Sequence, residues 1–593
     1  VLLLITALAT PRLGETLWGD EYRTMWYAGA VPQFGPAPVT ELVERIAANR
    51  FQAPLYYLTL SGWARFVGWG DVPLRALSLF AGLLAVTVLY RLARRSFGGT
   101  VALYAAATCS VSAFFVNYLH EMRTYTPLLL LLVTLLWCYD DLTRGHHRAR
   151  NIVAISLLTA AALYSHYYAA FPLAVLCLYQ LSFGRGRAHF WPALGALVVG
   201  GVVFLPWTQV LFAALTETTS DSRQADNLGP LALVVNVLHD YSSGNIALVG
   251  LLLAAGIAAR RPGTRFYVFW VIVGVALVLL IAPFFLVNEV RYLLFLWPGL
   301  AIIIGVGIDF LARQRTHAAA LLVVWALTAT WGVFSPREQQ RIHPWYISPM
   351  REATLALTDL IQPGDFVLHI APPRLYSSRR EIVPFYMEPL GAEGDMLLDQ
   401  WANPDAGYTA DLANITRGQP HLWTVYDPDR RHWRVGPLED TLLPNLGYDH
   451  CGVVRDGPNV HLTYWTTPDA QPAEQYAFLT PKNTPVRVGL LWPLSPTDTT
   501  LHLNVGWYAP DTLPLYSLAL QIEDESGALI YSSDVGLDPI THGCHIEHIS
   551  TANLPAGTYT LKLAVYNWGT EERLPPTGAE STDNRITLGT FTR

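Results

Sequence analysis

"PLRALSLFAGLLAVTVLYRLARR", residues 73–95, decides the fold. From Pro73 to Tyr90 two thirds of the run is Leu, Ala, Val and Phe, over a length close to the roughly 20 residues a helix needs to cross a bilayer. Its apolar residues do not alternate with polar ones, which argues against a half-buried strand. It stops on Arg91, Arg94 and Arg95, as a membrane helix does at a cytoplasmic face.

Working outward, similar runs occur at 1–10, 100–119, 124–139, 152–168, 169–183, 191–213, 245–259, 266–286, 292–312 and 317–334. With 73–93 they predict about eleven spans in a polytopic α-helical membrane protein. The stretch 152–183 is nearly continuous, so two helices require a tight turn near His166 and Pro172. Val1 is expected to lie partway into the first helix, and no cleaved signal peptide is read there. The loops 91–95, 144–150, 185–187, 260–265 and 313–315 are short and arginine-rich, and they fall at alternate connections. The positive-inside rule puts them all in the cytoplasm. The loop 11–72 and everything after the last helix are then extracytoplasmic. A multi-pass protein of a bacterial plasma (inner) membrane is expected.

Composition agrees. Of the 593 residues 52% are apolar and 14% charged, against about 25% charged in soluble domains. The deficit lies in residues 1 to 335. Net charge is −7 with no basic face, which speaks against a nucleic-acid partner. Five cysteines make no disulfide scaffold. Cys109, Cys138 and Cys177 fall in apolar runs and read as small hydrophobes. A bridge between Cys451 and Cys544 is left open.

Charged groups in membrane helices cost roughly 2.5–3.5 kcal/mol each on insertion scales, so unexplained ones are site candidates. "LWGDEYRTMW" (17–26) carries Asp20, Glu21 and Arg23, and "NYLHEMRTYTP" (117–127) carries His120, Glu121, Arg123 and Tyr125. "YSHYY" (164–168) holds His166 and Tyr167, "HDY" (239–241) closes an amphipathic stretch, and "NEVRY" (288–292) holds Arg291 and Tyr292. Each has a bland explanation. Carboxylate pairs are often solvated, His166 suits an interfacial histidine, the tyrosines suit an aromatic belt, and Arg291 can snorkel. By the topology above, however, all five segments meet at one membrane face, which suits a pocket for an anionic, lipid-linked substrate.

These residues resemble the GT-C glycosyltransferases, in particular bacterial relatives of protein O-mannosyltransferases and the lipid A aminoarabinose transferase. The resemblance rests on the Asp20–Glu21 pair, residues 52–84, "HEMRTYTPLLLLL" (120–132), "LYSHYYAAFPL" (163–173) and "VRYLLFLWPGLAI" (290–302). It covers residues 1 to 335. Ala53-Pro54 and His120 depart from the family pattern. The resemblance implies transfer of a sugar from a polyprenyl-phosphate donor to an extracytoplasmic glycan, lipid or protein acceptor, with inversion. It implies Asp20 as base and Glu21 as its support. Arg123, Arg291, Tyr125 and Tyr292 would meet the phosphate, with Arg23, His120, Glu121, His166 and Tyr167 also facing substrate. A divalent metal shared by Glu121 and His166 is left open. The competing readings are a catalytically silent anchor whose outer domains bind glycan or protein, and a transporter. The preserved acids speak against the first, and polar clusters at one face alone speak against the second.

Beyond residue 335 the periodicity changes. "DFVLHIAP" (365–372) and "HLWTVYDP" (421–428) read as buried strands, with helical stretches at 349–362 and 382–399, so an α/β domain is predicted over 336–470. From 471 to 593, alternating segments separated by Gly/Pro/Asp turns predict an all-β sandwich. Trp507, Tyr508, Tyr566 and Trp568 suit strand packing better than a glycan platform.

Overall fold

In the computed structural model the opening run is a single helix, Asp71–Phe97, of 27 residues. Leu and Ala favour it throughout, and it ends at Gly98, whose φ of +87° most side chains avoid. The structure describes residues 1–593 apart from 16, 30–36, 111, 219–229, 282–289, 313–314, 336–348, 372–381, 399–405, 428–437, 458–459, 471–474, 493, 497–499, 511–514, 538–541 and 579–580. Asn288 and Glu289, and the predicted domain boundaries at 336 and 471, lie outside the described residues.

The chain forms two compact units. The first, Val1–Glu15 with Asp20–Trp345, is helical. Its helices in chain order are α1 (Leu2–Ala9), α2 (Gly19–Ala28), α3 (Val39–Asn49), α4 (Pro54–Val67), α5 (Asp71–Phe97), α6 (Gly99–Ser110), α7 (Ala113–Leu119) and α8 (Tyr125–Thr143). Then follow α9 (Arg148–Ser165), α10 (Ala170–Phe183), α11 (Phe190–Phe204), α12 (Thr208–Thr218), α13 (Pro230–Tyr241), α14 (Ile246–Ala258), α15 (Thr264–Ile281), α16 (Trp297–Leu311) and α17 (Arg315–Phe334). A seven-residue 3₁₀ segment, Val290–Leu296, leads into α16.

Where it is described, every apolar run of the sequence falls on helix, but not each on one long helix. Among the described residues, six helices are long and apolar enough to cross a membrane, or up to eight if each bent pair is one span. The run 100–119 is bent by 69° between α6 and α7, and α13 meets α14 at 90°. The turn required near His166 is a 3₁₀ turn at Tyr167–Ala169, between α9 and α10. Leu3, Trp191, Leu280 and Trp331 stand exposed on this unit, the apolar surface that lipid rather than water accepts. Inside, α14 and α16 touch backbone to backbone. A Cβ on Gly307 would lie 2.0 Å from the Leu252 carbonyl oxygen, and one on Gly256 2.2 Å from that of Ile303. Small residues at such crossings let membrane helices gain dispersion contact.

The second unit, Thr16–Gly19 with Tyr346–Arg593, carries three sheets. After α18 (Met350–Leu357) come β1 (Phe366–Ala371), α19 (Ile382–Met387), β2 (Glu393–Leu398), α20 (Ala406–Ile415), β3 (His421–Tyr426), β4 (Asp449–Asp456) and β5 (His461–Thr466). They form one sheet in the order β2-β1-β3-β5-β4. Strands β1, β2 and β3 are parallel, whereas β5 runs antiparallel to both β3 and β4. The helix expected over 382–399 stops at Met387. Residues 393–398 instead pair with β1, where Gly394 lies so close to Val367 that a side chain would meet its carbonyl.

The remaining strands are β6 (Tyr476–Leu479), β7 (Pro485–Leu490), β8 (Ser495–Pro496), β9 (Thr500–Tyr508), β10 (Tyr516–Glu523), β11 (Leu529–Gly536), β12 (His542–Ser550), β13 (Thr558–Asn567), β14 (Pro576–Thr577), β15 (Ser581–Thr582) and β16 (Arg585–Thr592). One sheet runs β11-β10-β13-β16-β15, and the other β12-β9-β7-β6-β14 with β8 on β9. Val488, Leu503 and Val505 of one share a core with Leu520, Leu563 and Val565 of the other. Trp507 and Tyr508 are neighbours on β9 and so point to opposite faces, while Tyr566 belongs to the other sheet. The four aromatics therefore make no single platform. A disulfide joins Cys451 on β4 to Cys544 on β12.

Candidate active site

Helix α2 opens with the acidic pair, where carboxylates favour the positive end of the helix dipole. Successive helical residues diverge by about 100°, and the two acids part accordingly. Glu21 is fully buried. Arg75 of α5 donates to it twice, Nε to Oε1 at 2.9 Å and Nη2 to Oε2 at 2.5 Å. The Met122 N–H adds a third bond at 2.7 Å. Arg75 also donates to the carbonyls of Leu13, at 3.0 Å, and Glu15. Glu21 thus locks α2 to α5 and to the 120–124 loop. Arg75 escaped the sequence reading.

Asp20 keeps 18% of its side chain exposed and lies between two guanidinium groups. Nη2 of Arg123 and Nη2 of Arg291 are each 3.5 Å from its Oδ2. Arg123 is anchored separately, donating at 3.2 Å to the Asp20 carbonyl and to Thr24 Oγ1. Arg291 comes from the 3₁₀ segment and Arg123 from the α7–α8 loop, so Asp20 is where three distant parts of the chain meet. The resulting contacts are longer than a good charge-assisted hydrogen bond.

The ring of Tyr125 is shared by both arginines, with guanidinium carbons 5.9 Å (Arg123) and 5.7 Å (Arg291) from its centroid. Arg291 also sits 5.5 Å from the Tyr292 ring. Tyr292 stacks on Tyr168, centroids 4.7 Å apart and planes 4° from parallel, and His166 lies 5.8 Å from Tyr292. These rings and Arg291 form the polar end of a narrow pocket. Leu128, Leu129 and Leu132 of α8, with Leu294 and Phe295, supply its apolar wall.

Glu121 is buried in the 120–124 loop. Burial pushes its carboxyl up to about 8, with Arg291 and Arg123 pulling the other way. His166 Nδ1 accepts the Tyr168 N–H at 3.1 Å. His120 is buried with Nε2 3.9 Å from Glu15 Oε2. Two candidates stand apart. Arg23 is exposed on α2. The Tyr167 hydroxyl donates to the carbonyls of Arg50 (3.1 Å) and Gln52 (2.9 Å) and accepts from Trp207 Nε1 at 3.0 Å, which gives it a bracing place. Its neighbour Tyr168 lines the pocket instead. Among the described residues no three of His, Cys, Asp and Glu are grouped to hold a metal ion, and no step below runs through one.

Residues 52–209 match the family profile described as dolichyl-phosphate-mannose-protein mannosyltransferase. No curated protein matches the chain in sequence. Among solved structures, apo ArnT from Cupriavidus metallidurans is similar at TM-score 0.50 and 14% identity, over 78% of this chain and 97% of that one. The same protein bound to undecaprenyl phosphate gives TM-score 0.49 and 15% identity over the same shares. The oligosaccharyltransferase of Archaeoglobus fulgidus in its apo form gives 0.40 and 12%, over 84% and 74%. The 52–209 segment is thus similar to the protein-mannosyltransferase family, and the fold is similar to that of ArnT.

Proposed function

We propose that this chain transfers a sugar from a polyprenyl-phosphate donor to an acceptor outside the cytoplasm, with inversion and with Asp20 as the base. The observation that carries the reading is Asp20 held between Arg123 and Arg291, the latter also lining a pocket that passes from charged and aromatic groups to an apolar wall made mostly of leucines. That gradient suits a phosphate followed by an isoprenoid stem.

In this mechanism the donor phosphate draws the two guanidinium groups towards itself, since bidentate arginine–phosphate pairs are among the strongest charge-assisted contacts. The Asp20 carboxylate is freed to accept a proton from the acceptor hydroxyl. The oxygen attacks C1 from the face opposite the phosphate, and the C1–O bond to phosphate breaks as the new glycosidic bond forms. Charge developing on the lipid phosphate meets donors already in place. Protonated Glu121 adds no like charge beside it.

The finer architecture belongs to the same proposal. About eleven spans lead to an extracytoplasmic unit made of an α/β module and a β-sandwich. The Cys451–Cys544 disulfide supports an oxidising side, and the arginine-rich loops support the opposite face as cytoplasmic.

The test is transfer of radiolabelled sugar from a polyprenyl-phosphate donor by the purified full chain. Asp20→Asn is expected to lose at least about a hundredfold in turnover with the donor still bound. Full transfer by Asp20→Asn would overturn the base. Donor binding without turnover by the unaltered chain would favour the silent anchor.

A further inference from the structure

A second polar pocket lies at the other end of the same helices. Arg75, paired with Glu21, and Ser96 in this pocket are both on α5, roughly 30 Å apart at 1.5 Å per residue. That is the thickness of a bilayer's hydrocarbon core. The pocket is formed where the ends of α5, α8 and α10 meet the start of α15.

Its lining has two characters. Arg144, Arg187, His189 and Ser96 are polar, while Leu92, Leu136, Phe183 and Phe266 form an apolar wall. Arg144 is held in place, its Nε donating to Asp140 Oδ2 at 2.9 Å and its Nη2 to Ser96 Oγ at 3.2 Å. Arg187 is exposed and has no carboxylate partner among the described residues. The base is fixed by Tyr139, whose hydroxyl donates to Gln180 Oε1 at 2.7 Å, with Gln180 bonded in turn to the carbonyls of His189 and Phe190. A Cβ on Gly184 would come within 2.7 Å of that same Gln180 oxygen, so glycine keeps this corner open.

We propose that this pocket binds a phosphate-bearing anion, namely the headgroup of an anionic phospholipid whose acyl chains lie against Tyr179, Phe183 and Phe266. The chemistry is that of a guanidinium pair for phosphate beside an aromatic surface for hydrocarbon, at the depth where headgroups sit. Asp140 is already spent on Arg144 and Arg95, so it does not cancel Arg187. The site is independent of the transfer reaction proposed above.

The test reconstitutes the full chain in nanodiscs of phosphatidylcholine with a minor fraction of phosphatidylglycerol and measures lipid retained on the purified protein by native mass spectrometry. Phosphatidylglycerol retention is expected to exceed phosphatidylcholine retention, and to fall about fivefold in Arg187→Gln and on the order of 25-fold in Arg144→Gln/Arg187→Gln. Arg148→Gln, an exposed arginine outside the pocket, is expected to leave it unchanged. Equal loss in Arg148→Gln, or equal retention of the two lipids, would overturn the site. Millimolar inorganic phosphate or glycerol 3-phosphate is expected not to displace the lipid. Complete displacement would overturn the lipid assignment in favour of a soluble phosphate.

Discussion

Glu21 and Arg75, 54 residues apart in sequence, form a two-pronged ion pair from which water is excluded. Asp20, one residue earlier, remains reachable. The buried acid fixes the frame and leaves the accessible one adjustable.

Removing one member of such a pair leaves an uncompensated charge, at a cost of about 3–5 kcal/mol. Glu21→Gln, which keeps an acceptor for the Met122 N–H, should lower the thermal midpoint of the detergent-solubilised chain steeply. Glu21→Gln/Arg75→Met should recover much of the loss. A double variant no more stable than the single one would show that the pair contributes little.

Arg291→Lys keeps the charge beside Asp20 but loses the planar fork and the face that meets Tyr125 and Tyr292. The donor KM should rise about tenfold, as one such contact is worth roughly 1.4 kcal/mol. The thermal midpoint should stay close to that of the unaltered chain, and steady-state kinetics across donor concentrations checks both.

The raised pKa of Glu121 has a definite sign in stability. Between the ordinary carboxylate value and about 8, the folded chain binds a proton that the unfolded chain has released. Stability from this group therefore falls as pH rises through that window and is flat above it. Thermal midpoints from pH 5 to pH 9 should decline for the unaltered chain, and the decline should be smaller in Glu121→Gln. Parallel profiles would refute the assignment.

With Cys451 and Cys544 bridged, thiol titration of the denatured, unreduced chain should find three free groups, Cys109, Cys138 and Cys177. Cys451→Ser/Cys544→Ser should destabilise the second unit by about 2–5 kcal/mol, because a long loop is no longer closed in the unfolded state. Calorimetry with and without reductant measures it.

Much of the helical unit was legible because apolar length and arginine placement are local signals. The gathering of Asp20, Arg123 and Arg291 was inferred from sidedness and family likeness, which bring residues to one face but do not pair them. Arg75 was invisible for the converse reason. It sits inside the apolar run that announces α5, and its partner is elsewhere in the chain. Strand β12, "HGCHIEHIS", carries no clean alternation, because Cys544 and Ile546 lie on one face with His548, and Ile549 on the other with His545 and Glu547. Tyr167 and Tyr168 could not be told apart, since both are aromatic and only the 3₁₀ turn between α9 and α10 sends one to the brace and the other to the pocket.

The 3₁₀ segment Val290–Leu296 is long for its kind, since runs beyond three or four residues are uncommon. With three residues per turn and about 2 Å rise, side chains at i and i+3 eclipse, one directly above the other at about 6 Å. Arg291 therefore stands over Leu294 and Tyr292 over Phe295, and all four line the pocket, while Leu293 and Leu296 face a separate apolar cavity. The segment works as a ruler with charge at one mark and hydrocarbon at the next. An α-helix over the same residues would turn each lower mark about 60° away from the upper one, and head and stem would no longer be read along a single line.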